Sequence, residues 1–145
     1  MATINATLTV SSDILSYPIN ISKTMAMKKL QSSDGLEETT GLRTKKFTDT
    51  TAAVIAEHDE LTDDKAHKLY VRNASTSKEN FFYVAYNASA AAATTAETIG
   101  KLYGQDWMLI PYDGNTNITV ASSSSSEAQY LEYMVFADGI VAAKG

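Results

Sequence analysis

The sequence of 145 residues predicts an all-β fold, an antiparallel β-sandwich of jelly-roll or Ig-like topology with little helix, in a single domain spanning residues 1–145. Three observations carry that expectation. Apolar and polar residues alternate with period two in the first segment and again from Lys68 onward. Short strand-like runs are separated by turn signals at fairly regular spacing, as in sandwiches and barrels. Strand patterns do not alternate with helical ones, so a parallel sheet with crossover helices is not expected.

The first strand is the clearest instance. Ile4, Ala6, Leu8 and Val10 point one way, with Asn5, Thr7 and Thr9 between them, so a half-buried strand is expected. Ile14 to Ile21 holds Tyr17, Ile19 and Ile21 on one face. Pro18 lies inside that run and cannot donate to a ladder, which makes it an edge strand or a strand start. Ser33-Asp34-Gly35 reads as a turn, Glu37 to Thr51 as a loop and hairpin arm, and Ala52 to Ala56 as a short buried strand.

An acidic loop, His58 to His67, follows. Lys68 to Asn73 and Phe81 to Tyr86 are two strand-like runs joined by a short polar link, which predicts a hairpin. Ala88 to Thr98 is rich in Ala and Thr and reads as a loop or one or two helical turns. Tyr103-Gly104-Gln105-Asp106 is a turn, Trp107 to Ile110 a strand closed by Pro111, and Asp113-Gly114-Asn115 another turn. Ile118 and Val120 share a face of the next strand. A serine run, Ser122 to Ser126, leads to the last long strand, Tyr130 to Ala137, and a short tail.

Composition narrows the function. Hydrophobic residues make up 44%, charged residues 20% and aromatics 9%, which is ordinary globular material. The absence of cysteine removes disulfides, thiolate metal sites and cysteine nucleophiles. A net charge of −5 argues against direct nucleic-acid binding, which needs clustered Lys and Arg. The two short basic clusters, Lys28-Lys29 and Arg43 to Lys46, read as solvated strand edges. The N-terminus has neither a positive n-region nor an apolar h-region, and no apolar stretch approaches the roughly 20 residues that span a bilayer, so no membrane association is expected. Without a secretion signal, the Asn-x-Ser/Thr triplets at Asn5, Asn20, Asn73, Asn87 and Asn117 reflect composition rather than glycosylation.

No constellation for catalysis emerges. The two histidines, His58 and His67, share one polar loop, and no Gly-x-Ser-x-Gly element accompanies them. His58, Asp59, Glu60, Asp63, Asp64 and His67 are of metal-ligating type, but their spacing matches no metal cage. Asp113 to Asn117 lacks the closing glutamate of a calcium loop and reads better as a turn. Phosphate-cradling glycine loops are absent. The expectation is no enzyme, no cofactor and no metal. Trp107 with Tyr103 and Tyr112 offers an alternative sugar-stacking platform, although a lone tryptophan in a small sandwich is more often core.

Two strands carry apolar residues on both faces, Phe81 to Tyr86 and Tyr130 to Phe136, the latter broken only by Glu132. Such strands are covered on both sides or meet a partner chain. Phe82, Tyr86, Tyr130, Tyr133 and Val135 are therefore candidate contacts in an oligomer or shell. The other reading of the tyrosines is a monomer surface with wet hydroxyls.

The order Lys68 to Asn73, Phe81 to Val84, Ile99 to Trp107, Ile118 to Val120 and Leu131 to Phe136 resembles small structural proteins of tailed bacteriophages. In these a strand ending in Arg-Asn precedes a Gly-centred turn, a Trp-containing strand and a closing Glu-Tyr-x-x-Phe strand. The resemblance covers Lys68 to Ala137, about half the chain. It departs from the pattern before the tryptophan, where Tyr103-Gly104-Gln105-Asp106 replaces the usual Pro-Gly or Gly-Glu. What it implies is a virion protein assembled in the host cytoplasm, a capsid decoration (cement) protein acting as a dimer or trimer. Its partners would be the major capsid protein or other virion proteins. A tail, neck or fibre component, or a carbohydrate-binding module for host attachment, is the alternative.

Overall fold

The computed structural model describes residues 3–86 and 98–141, and the Ala/Thr-rich segment read above as a loop or short helix lies almost wholly outside them. The fold is all-β and sandwich-like, with antiparallel pairing throughout. Its strands are β1 (Asn5–Ser12), β2 (Ile19–Ala26), β3 (Glu38–Thr39), β4 (Arg43–Phe47), β5 (Ala53–Ala56), β6 (His67–Asn73), β7 (Phe81–Tyr86), β8 (Thr98–Tyr103), β9 (Trp107–Tyr112), β10 (Ile118–Ser122) and β11 (Gln129–Ala137). A 3-10 turn covers His58–Glu60. No helix among the described residues is long and apolar enough to cross a membrane.

Two sheets form the body. In one the order is β3-β11-β6-β9, with β4 also pairing with β11; in the other it is β5-β10-β7-β8. Alternation decides what each strand buries. Leu131, Tyr133, Val135 and Ala137 of β11 and Leu69 and Val71 of β6 face inward from the first sheet. They meet Phe82 and Val84 of β7, Ile118 and Val120 of β10 and Leu102 of β8 from the second. Phe47, the last residue of β4, closes one side of this core, its ring edge-on to Phe82 at 5.0 Å between centroids.

The outward side of β7 explains why both of its faces are apolar. Phe81 lies 4.8 Å from Tyr83 and 5.0 Å from Tyr103, and the Lys101 ammonium sits 4.7 Å above the Phe81 ring. The second face is thus clothed by its own neighbours. In β11 the outward residues are Tyr130, Glu132, Met134 and Phe136, and Glu132 accepts the Tyr70 hydroxyl proton at 2.8 Å.

The structure corrects two expectations about elements. β6 and β7 do not form a hairpin: β6 pairs with β11 and β9, whereas β7 pairs with β10 and β8. The link from Ala74 to Asn80 instead carries the chain from one sheet to the other. Asn73 holds its start. The Asn73 Oδ1 accepts the Ser75 N–H at 3.0 Å, and its Nδ2 donates across the core to the Leu102 carbonyl at 2.9 Å.

The second correction concerns the N-terminus. β1 and β2 pair with each other over eight residues each but, among the described residues, with no other strand. Nearly every residue of the pair is exposed, so β1 is not half-buried; the hairpin projects from the body as an arm. At its root Met27 donates to the Ile4 carbonyl and is itself buried, with Leu36 beside it in sequence register.

Candidate interaction surface

The arm is two-faced. Cross-strand partners share a face, so Ala6, Leu8 and Val10 line up with Met25, Lys23 and Ile21, and Ser12 with Ile19. The opposite face holds Asn5, Thr7, Thr9 and Ser11 against Ala26, Thr24, Ser22 and Asn20. One face is therefore apolar apart from Lys23 and Ser12, and the other is made of small, mostly polar side chains. Leu8, Val10, Ile21 and Met25 are about 40% exposed. At the tip, Ile14, Leu15 and Tyr17 are 78%, 62% and 84% exposed. Among the described residues neither strand hydrogen-bonds to the body.

Close to the body, the arm overlooks the outer side of β9. A cavity of about 310 Å³ is lined by Ala6, Thr7, Leu8, Lys23, Thr24 and Met25 of the arm and by Trp107 and Leu109 of the sheet. Trp107 is 53% exposed, not core. In register with Arg72 it faces outward, because Met108, Ile110 and Tyr112 take the inward positions of β9.

The five residues singled out from the doubly apolar strands separate into two groups. Phe82 (0% exposed), Val135 (1%) and Tyr133 (9%) fill the core between the sheets. Their apolar character therefore serves the packing between the sheets, with Tyr133 alone of the three keeping some surface. Tyr86 and Tyr130 are exposed by about 40%. Tyr86 sits at the end of β7 and donates to Asp113 Oδ1 at 3.1 Å. Tyr130 stands on the outer face of β11 beside Lys46 of β4.

Chemically suggestive residues are consumed by the fold. His67 is fully buried. Its Nδ1 accepts the Asp138 N–H at 2.9 Å, which leaves Nε2 to donate to the Thr62 carbonyl at 2.8 Å. Asp138 Oδ2 in turn accepts the N–H groups of Leu30 at 2.8 Å and Ala66 at 3.3 Å. Burial pushes this carboxyl up, but the two N–H donors and the nearby Lys65 outweigh it and hold the group below the usual aspartate range. His58 is on the surface, 3.3 Å from Asp59. Among the described residues no three His, Asp or Glu side chains are grouped to hold a metal ion.

Asp113 to Asn115 is a turn. Asp113 Oδ1 accepts the Asn115 N–H at 3.0 Å, and Asn115 exchanges hydrogen bonds with Asp64 at 2.7 and 2.9 Å. Gly114 has φ +85°, and a Cβ there would come within 2.7 Å of the Thr62 carbonyl oxygen. The three aromatics of the sugar-platform reading do not converge. Tyr112 is buried, with its hydroxyl on the Thr116 carbonyl at 2.6 Å, while Tyr103 packs on Phe81 in the opposite sheet from Trp107.

The Arg-Asn strand end and the Gly-centred turn prove to be one unit. Asn73 N–H donates to the Asp106 carbonyl and Gln105 N–H to the Asn73 carbonyl, each at 2.9 Å, and Arg72 donates to the Gln105 side chain. Gly104 is required because a Cβ would press on the carbonyls of Ser75, at 2.9 Å, and Ser77. Gln105 takes the left-handed conformation, φ 74°.

Comparison with protein-family models, curated proteins and solved structures found no match. Fold and surface together define the class: an all-β, sandwich-like protein with a projecting amphipathic hairpin.

Proposed function

We propose that this chain is a non-enzymatic structural subunit of a phage particle, a capsid decoration protein that stabilises the head shell through contacts with capsid subunits and with copies of itself. The observation that carries this reading is the arm. Among the described residues no strand of the body pairs with this hairpin, whose apolar face and tip keep much of their surface exposed, and an exposed apolar patch of this kind marks an interaction site. The body supports the reading in a second way, since buried His67, Asn73 and Asp138 tie loops and strand ends together. Tyr86 and Tyr130 are additional contact residues. The phage assignment rests on the resemblance over Lys68 to Ala137, and a tail, neck or fibre position is the alternative within the same particle.

Co-sedimentation tests it. Purified protein is mixed with phage heads that lack decoration protein, and with isolated tails. Saturable pelleting with heads, accompanied by a higher disruption temperature of the shell, is the expected result. Pelleting with tails alone would move the protein to the tail, and pelleting with neither would overturn the virion assignment.

A further inference from the structure

Exposed strand edges invite pairing with another chain, and proteins blunt them with charge, proline or shortness. Every edge strand of the body is blunted. β3 has two residues and β5 has four. β4 carries Arg43, Lys45 and Lys46, β8 carries Lys101, and β9 carries Pro111. On the arm, β2 carries Lys23. Among the described residues β1 alone is left open. Its eight residues, Asn-Ala-Thr-Leu-Thr-Val-Ser-Ser, include no charge, no proline and no glycine. One edge of β1 is paired with β2, and every second N–H and C=O on the other edge has no strand beside it.

We propose that β1 pairs antiparallel with β1 of a second copy of this chain, joining the two arms into one four-stranded sheet, β2-β1-β1-β2. Side-chain period fixes the register. Only pairings that keep the two apolar faces on the same side make one continuous apolar surface, and the one centred on Leu8 uses the whole stretch from Ile4 to Ser12. It places Leu8 beside Leu8 of the second copy, Ala6 beside Val10, and Thr7 beside Thr9. No charges oppose one another along the seam. A two-fold axis through Leu8 makes the contact self-complementary, as closed dimers require.

The antiparallel direction carries each apolar tip towards the other copy's arm root, where Trp107 and Leu109 border the cavity. The seven large apolar side chains of each arm and its tip, 39% to 84% exposed, are thereby gathered on one joined sheet. An isolated two-stranded hairpin is marginal in water, and doubling it to four strands removes that weakness.

This pairing deepens the structural-subunit reading but stands apart from the capsid itself. A dimer that ignores phage heads would leave the pairing intact, and head binding by a strict monomer would end the pairing alone. The chain has no cysteine, so Leu8→Cys supplies a unique thiol. Cross-strand Cα spacings of about 4.5–5.5 Å match those a disulfide spans. With diamide as oxidant, Leu8→Cys should cross-link to a covalent dimer, while Asp34→Cys on an exposed body turn should not. Leu8→Lys sets two cations against each other and should convert the dimer to monomer in sedimentation velocity, with the thermal midpoint of the body unchanged. The pairing is overturned if the unmodified protein is monomeric at every concentration. It is equally overturned if Leu8→Lys remains dimeric, or if both cysteine variants cross-link alike.

Discussion

Asn73 holds two connections at once, and its side chain has no water to fall back on. It is fully buried, donates to the Leu102 carbonyl and accepts the Ser75 N–H. Replacing it with alanine strands both partners, each at a cost of about 1–3 kcal/mol. Asn73→Ala is therefore expected to lower unfolding free energy by about 2–4 kcal/mol in urea titration. Asp138 makes a prediction about acid. Its carboxyl is held below the ordinary range in the fold, so its contribution is present above the unfolded value, about 3.9, and is lost as pH falls through the lower folded value. Asp138→Asn should reduce stability at neutral pH and flatten the dependence of the urea midpoint on pH below about 4. At the alkaline end, burial first, then the Glu132 hydrogen bond and charge, push Tyr70 up to about 12, against a smaller opposing pull from Arg72. Burial, Tyr86, Asp113 and Asp63 raise Tyr112. Their contributions are full below the ordinary tyrosine value near 10 and are lost as pH rises through the folded values. In a 295 nm absorbance titration Tyr70→Phe and Tyr112→Phe should each remove amplitude from the part of the curve above the ordinary tyrosine range.

At the scale of elements, the arm and the body strands should respond oppositely to deletion. Phe82 and its neighbours bind the two sheets, and Phe82→Ala should cost about 3–5 kcal/mol. Replacing Ala6 to Met25 by a short Asn-Gly turn removes far more residues but almost no core, so the body's unfolding free energy should change by less than about 1 kcal/mol. Chemical denaturation of both variants checks the contrast. The same distinction marks how far sequence reading reached. Alternation in Ile4 to Val10 identified a strand with an apolar face, yet period two says only that a face exists and not which body covers it. Likewise the polar link after Asn73 looked like a hairpin loop. Whether two adjacent strands pair or cross between sheets depends on long-range partners, here β11 and β10, which local pattern does not encode.

For the whole molecule, the all-β sandwich-like architecture was legible because turns and alternation are local signals, and strand existence from Lys68 to Ala137 followed from them. The candidate surface was legible only in part. Tyr86 and Tyr130 are exposed, but Phe82, Tyr133 and Val135 fill the interior, since an apolar residue reads the same whether it faces a core or a partner. Trp107 shows the converse, a residue expected inside that stands outside because its neighbours took the inward positions. The open edge of the arm is not written in β1 itself, because which strands lie at an edge depends on the order of the whole sheet. The claim that joins these scales is that the body is a folded platform and the arm is its binding element. Sedimentation velocity of the intact 15.7 kDa chain beside the chain with Ala6 to Met25 replaced tests it most directly. Reversible self-association of the intact chain and a monomer for the shortened one is the result expected. Identical sedimentation of the two, whether both monomeric or both associated, would contradict it.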